Sequence, residues 1–226
     1  MATATTARSP APANGCSPAT PHRGPELVDA LPFSLSCENN KQPILDVLAR
    51  VFADRREVLE IASGTGQHAT WFAQQLPHLR WRPTEMPDNL ATLLPRCNHY
   101  AGDNLAPPTV LDVSARPWPP QVPHALFSAN SLHIMPWASV EDLFAELSER
   151  AEADTVLAVY GPFNYGGEYT SESNARFDQW LAARSPFSAI RDFEKVDALA
   201  QAAGFELAQD NAMPANNRLL VWRKPA

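Results

Sequence analysis

Glu57-Val58-Leu59-Glu60-Ile61-Ala62-Ser63-Gly64-Thr65-Gly66-Gln67-His68-Ala69 is the stretch that decides the fold. Its first six residues are largely apolar and read as a short buried strand. The glycine-bearing turn Ser63–Gly66 follows and opens a helix over about Gln67 to Gln75. Strand, glycine turn and helix in that order is the start of a βαβ unit, and ligands of open α/β sheets sit beyond the carboxyl ends of such strands. Gly64 and Gly66 let backbone approach a ligand with no Cβ in the way.

Upstream, Ile44, Val47, Leu48 and Val51 recur at helical spacing, which predicts a helix over Asn40 to Phe52 with Pro43 in its first turn and Asn39 or Asn40 as cap. Cys37–Lys41 before it is a candidate lid within an N-terminal lid-and-helix segment over 25–56. Downstream, further strands are predicted at Leu79–Glu85, Val110–Val113, His124–Asn130 and Asp154–Gly161, with two more at "FELAQD" and "RLLVW". Helices are predicted from Ser139, around Phe177, Trp180 and Leu181, and over Glu194–Ala203, which Gly204 ends. Pro87 to Pro123 is proline-rich and poorly periodic. Alternating strands and helices imply right-handed crossovers and a mainly parallel sheet. The short connection between the last two strands makes them a hairpin, so one edge strand should run antiparallel.

Composition narrows the function. The 226 residues carry a formal net charge of -7, with lysine only at 41, 195 and 224. That argues against a nucleic-acid partner, whose affinity rests on neutralising phosphates. No apolar run approaches the length of a membrane span. Cys16, Cys37 and Cys97 are odd in number and widely spaced, so neither a disulfide framework nor a metal site is expected, and a reducing, cytoplasmic setting fits. Residues 1–24, rich in Ala, Thr, Pro and Ser, read as a disordered tail, leaving 25–226 as a single domain.

Three acids lie along the expected edge: Glu60 on the first strand, Glu85 at the end of the second and Asp112 at the end of the third. A carboxylate in the place of Glu85 accepts bonds from ribose hydroxyls. Glu60 would repel a pyrophosphate, and no lysine follows the glycines as a P-loop requires. Three acids suit a nucleoside with a cationic arm and no phosphate, which is S-adenosylmethionine.

"EIASGTGQHA" resembles motif I of the class I S-adenosylmethionine-dependent methyltransferases, with Ala62 in place of the usual first glycine. With "SCENNKQPIL", "ANSLHIMPW", "YGPFNYGGEYTSESNARFD", "IRDFE" and "MPANN", the chain from about Leu31 to Arg223 is similar to one uncharacterised methyltransferase-like family, known as a domain of unknown function. The resemblance implies an α/β, doubly wound, seven-stranded and mostly parallel sheet whose last strand is antiparallel. It also implies cofactor contacts from Glu60, Gly64, Gly66, Glu85 and Asp112, beside Ala62 in the motif. It supplies no substrate.

On the acceptor side, Asn130 and His133 follow the fourth strand, and Tyr160 and Asn164 follow the fifth. The four are expected to converge beside the methyl group, with Asn130 also bordering the cofactor and His133, Tyr160 and Asn164 as catalytic candidates. Asn130-Ser131-Leu132-His133 lacks the proline pair common in enzymes that methylate nucleobase amines. The leading expectation is a methyltransferase of a small polar molecule; the alternatives are a protein or nucleic-acid methyltransferase, or a non-catalytic S-adenosylmethionine-binding protein.

Overall fold

The computed structural model describes Met1, residues 31–116, Trp118 and residues 121–226. The expected tail over 1–24 lies, Met1 apart, outside the described residues. The chain divides into Met1–Leu31 and Pro32–Ala226, and the architecture that follows is that of Pro32–Ala226.

Six helices and nine strands are named in chain order: α1 (Leu35–Val51), β1 (Glu57–Ile61), α2 (Gln67–Gln75), β2 (Arg80–Glu85), α3 (Leu90–His99), β3 (Thr109–Val110), β4 (Ala125–Ala129), α4 (Trp137–Arg150), β5 (Val156–Gly161), β6 (Phe163–Asn164), α5 (Glu172–Ala182), β7 (Arg191–Asp192), α6 (Phe193–Ala202), β8 (Glu206–Met213) and β9 (Asn217–Arg223). Seven strands form one sheet in the order β3-β2-β1-β4-β5-β9-β8, and β6 pairs with β7 separately. The strands β3 through β5 are mutually parallel. The last strand, β9, is antiparallel to both β5 and β8. The antiparallel strand is therefore not at the edge as expected: β9 turns inward to pair with β5, and β8 is left outermost. The inward placement follows from composition, since Leu219–Trp222 are fully buried while β8 is mostly exposed.

Alternation along each strand sends side chains to two cores. On one face, Val58, Phe127, Val156, Ala158 and Tyr160 meet α1 and α2; on the other, Leu59, Ile61, Leu126, Leu157 and Val159 meet α4 and α6. The first core is centred on aromatics. Phe72 of α2 lies 5.3 Å from the Trp81 ring and 5.5 Å from that of Phe127.

Several local expectations change. α1 begins five residues earlier than its periodicity suggests, with the Ser34 hydroxyl accepting from the Cys37 amide. Pro43 therefore sits in the helix interior, and Cys37–Lys41 forms the first turns of α1. The proline-rich middle contains α3, whose buried Leu93 and Cys97 lie four residues apart around Pro95. β3 is only two residues long and ends before Asp112. α4 starts at Trp137 behind Pro136, two residues before the expected start at Ser139, whose hydroxyl bonds to that of Ser114.

Phe72→Ala should remove the ring that joins α2 to the sheet. A loss of about 3–5 kcal/mol is expected from a cavity of that size, measured as a shift of the urea unfolding midpoint.

Candidate functional site at the carboxyl edge of the sheet

The turn after β1 is fastened to the end of β2. The Ser63 amide donates to the Thr84 carbonyl at 2.8 Å, and the Thr84 amide donates to the Ser63 hydroxyl at 3.1 Å. The Thr84 hydroxyl donates to the Glu60 carbonyl at 2.7 Å. The Gly64 amide donates to Glu85 Oε2 at 2.7 Å, and Glu85 Oε1 accepts from the Met86 amide at 2.8 Å. Each Glu85 oxygen keeps one lone-pair direction free.

Ala62, Gly64 and Gly66 are left-handed, with φ of 59°, 57° and 75°. Ala62 thus adopts a conformation that a glycine takes more easily, at a cost of roughly 1–2 kcal/mol. A Cβ on Gly64 would meet nothing within 4 Å, whereas one on Gly66 would lie 3.0 Å from Leu93 Cδ1. Gly64 therefore borders open space, and Gly66 lets the turn pack on α3. At the end of β4, Asn130 is also left-handed, with φ 55°, and its amide donates to the Tyr160 carbonyl at 2.8 Å. Left-handed backbone thus ends two adjacent strands, β1 and β4.

Glu60 lies beneath the turn, fully buried, with Oε2 accepting from the Trp81 indole at 2.7 Å. Burial lifts its carboxyl to about 7, despite the bonds from Trp81 and Ser63 that favour the charged form; the neighbouring Glu85 lifts it further. Asp112 is corrected from strand end to loop. Its Oδ1 accepts from the Ser114 amide, while the preceding Leu111 amide still bonds to the Glu85 carbonyl.

α1 closes over this edge on the α2 side. The Gln67 side chain joins the backbone of Ser34 through both its oxygen and its nitrogen. His68 Nε2 lies 2.7 Å from Asn40 Oδ1, and the His68 ring stacks on Phe72. Burial holds the His68 imidazole down at about 4, so it is neutral. Neutral His68 must donate its Nε2 proton to Asn40 Oδ1. Asn40 and Asn217 lie beside the Tyr160 hydroxyl, which burial keeps protonated.

The four acceptor-side residues do not share one cavity. Tyr160 packs in the core under α1 and α2. Gly161 points to the opposite face, where its missing Cβ would lie 3.5 Å from His133 Nδ1. His133 is buried there, edge-on to Phe177, with its imidazole lowered to about 4 first by desolvation and then by Arg191. One-residue alternation in β5 separates Tyr160 from His133. Asn164 is buried in β6, with its amide oxygen unpartnered among the described residues. The loop beyond it folds down: the Tyr165 hydroxyl donates to Asp210 and the ring stacks on Phe193. Sequence reading missed the partnership of Asn40 with His68. The only signal was the polar pair "NN" inside an amphipathic helix.

The family model described as "Protein of unknown function (DUF938)" matches residues 31–224. Among solved structures, the chain is similar to an O-methyltransferase family protein from Burkholderia thailandensis, with 15% identity, a TM-score of 0.71, and coverage of 82% of this chain and 56% of that one. An O-methyltransferase family 2 protein from Planctomyces limnophilus, solved in complex with apigenin, gives 16% identity and a TM-score of 0.71, covering 84% and 57%. Human N-acetylserotonin methyltransferase in complex with SAM gives 14% identity and a TM-score of 0.65, covering 82% and 55%. The chain spans a little over half the length of these structures. At such identities the likeness is one of fold, that of the class I methyltransferases.

Two glycine variants should separate stability from binding. Gly66→Ala is expected to lower the unfolding midpoint strongly, through both contact and backbone strain. Gly64→Ala should bear only the left-handed penalty, roughly 1–2 kcal/mol, yet obstruct any ligand lying on the turn; calorimetric unfolding and titration check the two effects.

Stability should also respond to pH in two opposed ways. Glu60 has a folded value near 7 against 4.5 unfolded, so its contribution is present below 4.5 and lost as pH rises through 7. His68 and His133, near 4 against 6.5, contribute above 6.5 and lose it as pH falls through 4. Glu60→Gln should therefore raise the melting temperature more at pH 8 than at pH 5, measured relative to the parent chain at each pH.

Proposed function

The chain belongs to the DUF938 family of proteins of unknown function, and we propose that it is an S-adenosylmethionine-dependent methyltransferase acting on a small polar molecule. The observation that carries the reading is the Glu85 carboxylate held at 2.7 Å from the Gly64 amide, with open space above Gly64. That pairing leaves each carboxylate oxygen able to accept once more, beside a turn where a nucleoside can lie against bare backbone. Glu85 would take the ribose hydroxyls, and Ala62, Gly64 and Gly66 would shape the turn beneath the sulfur. Asp112 and Asn130 flank the adenine and methyl ends of the same rim, and Glu60 lies beneath the turn, where a cationic arm would favour its charged form.

When bound, the cofactor supplies a sulfonium methyl already activated for transfer. The residues around it then have mainly to position an acceptor and exclude water. α1 covers the edge, and the end of β4 offers Asn130. Tyr160, packed in the core beside Asn40 and Asn217, stays protonated and braces the end of β5 from beneath. His133 is neutral at pH 7 and too weak a base to hold a proton there; with its ring over Gly161, it serves to shape the wall at the end of β5. The solved relatives named above include proteins whose names specify methyl transfer, which supports the reaction class. The negative net charge supports a small acceptor over a nucleic acid. A cytoplasmic location completes the reading, supported by three widely spaced cysteines that offer no disulfide framework.

S-adenosylhomocysteine should raise the melting temperature by several degrees, since a ligand at 100 times its dissociation constant adds about 2.7 kcal/mol. Glu85→Ala should weaken its binding about 10- to 100-fold, the loss expected for charge-assisted bonds, while the variant stays folded by circular dichroism. A full-length chain that is stabilised by NAD and not by S-adenosylhomocysteine would end the reading.

A further inference from the structure

One outer ridge of α5 carries Glu172, Arg176, Trp180 and, in the turn that ends the helix, Arg184, each four residues from the next and all exposed. Asp178 projects from the opposite side of the helix, where it accepts from the Tyr169 hydroxyl and the Ile190 amide. Two further apolar side chains stand beside the C-terminal half of this ridge. Ile134 is 57% exposed and Phe187 63%, against 48% for Trp180. Their segments are tied together: the Ser188 hydroxyl donates to the Ile134 carbonyl, and one Arg191 nitrogen donates to the carbonyls of both Met135 and Phe187. Phe177 joins them to the helix, stacking on Trp180 and meeting His133, the neighbour of Ile134, edge-on. Three half-exposed side chains of this size present on the order of 300 Å² of apolar surface, the scale at which a patch is often functional.

The charges on the ridge match the ridge itself. Rows of residues four apart are the ridges along which helices most often pack, crossing at about −50°. Positions 172 and 184, like 176 and 180, are equidistant from 178. Run antiparallel against a copy about a two-fold axis at that point, the ridge sets Glu172 beside the partner's Arg184 and Arg176 beside the partner's Trp180, and each contact occurs twice. Within one chain these groups are weakly engaged. Glu172 approaches Arg176 at 3.6 Å, and Arg184 has no carboxylate partner among the described residues and lies 3.5 Å above its own Trp180 ring. A partner of one charge sign would be repelled by one end of the ridge, whereas a copy meets opposite charge at both ends.

We infer that a second copy of this chain covers this face, forming a two-fold dimer through α5 with Trp180, Ile134 and Phe187 at its apolar centre and the Glu172–Arg184 pairs at its rim. An apolar centre within a charged rim is the anatomy of a specific interface. An ordinary interface buries about 800 Å² on each side; the apolar patch supplies somewhat under half of that, and the remainder falls to the polar ridge. Because Phe177 links Trp180 to His133, association also braces the wall at the end of β5.

Sedimentation velocity on the full chain tests the inference. Interfaces of ordinary size hold at micromolar concentration or below, so the parent chain should be a dimer at about 10 μM. Trp180→Ala should weaken the dimer at least about tenfold, as loss of a central aromatic does. Glu172→Arg and Arg184→Glu each bring like charges together twice, and each should weaken the dimer about tenfold or more. Mixing these two single variants should restore association, because Arg at 172 and Arg at 184 of one chain then meet Glu at 184 and Glu at 172 of the other. A parent chain that is monomeric at that concentration, whatever other protein it captures, would overturn the inference, and this measurement stands even if a variant fails to fold. A dimer that all three variants leave unchanged would be built on another face and would overturn it too, as would a mixture no tighter than either variant alone.

Discussion

The structure depends on the seam between the turn after β1 and the end of β2. Four hydrogen bonds, involving Glu60, Ser63, Gly64, Thr84 and Glu85, tie two parallel strands together where their ladder ends. Parallel strands have no hairpin to set their register. Here side chains continue the ladder past the last regular pair. The same bonds hold the Glu85 carboxylate at a fixed height against Gly64, so one set of contacts both finishes the sheet and builds the candidate binding surface. The left-handed strain at Ala62 is sustained because this seam over-determines the turn.

The helix preceding the sheet is recruited to that surface through polar rather than apolar contacts. α1 buries Ile44, Leu48 and Val51 along the sheet, but its first turns are fixed by Gln67 to Ser34 and by His68 to Asn40. Both partners come from the first turn of α2, directly after the glycines. A change in the turn is therefore felt at the start of α1, where Asn40 lies beside the Tyr160 hydroxyl of β5. Burial keeps His68 neutral, and because the Asn40 oxygen can only accept, the single ring proton sits on Nε2.

The two faces of the sheet divide the rim. Glu60, His68, Asn40 and Tyr160 lie on the side of α1 and α2. Gly161 and His133 lie on the side of α4 and α6, where Arg191 caps the carbonyls of Leu132 and Met135. Residues close in sequence beyond β4 and β5 are thus presented from both sides of the edge, which suits a ligand that lies across it.

The sequence by itself determined the seven-stranded α/β architecture, the position of the glycine turn and the placing of Glu60 and Glu85. These rest on local signals: apolar runs, glycine where φ is positive, and an acid at a strand end. It did not reveal α3, because Pro95 interrupts the pattern on which helix recognition relies, nor the start of α1, because Ser34 caps it ahead of any apolar periodicity. Only the tertiary structure decided that Tyr160 and His133 stand apart, since strand alternation must be counted from a register that pairing sets. Only the tertiary structure placed Arg96 at the turn. It is 31 residues from Thr65 in sequence, and no local spacing encodes a contact made by packing α3 against Gly66.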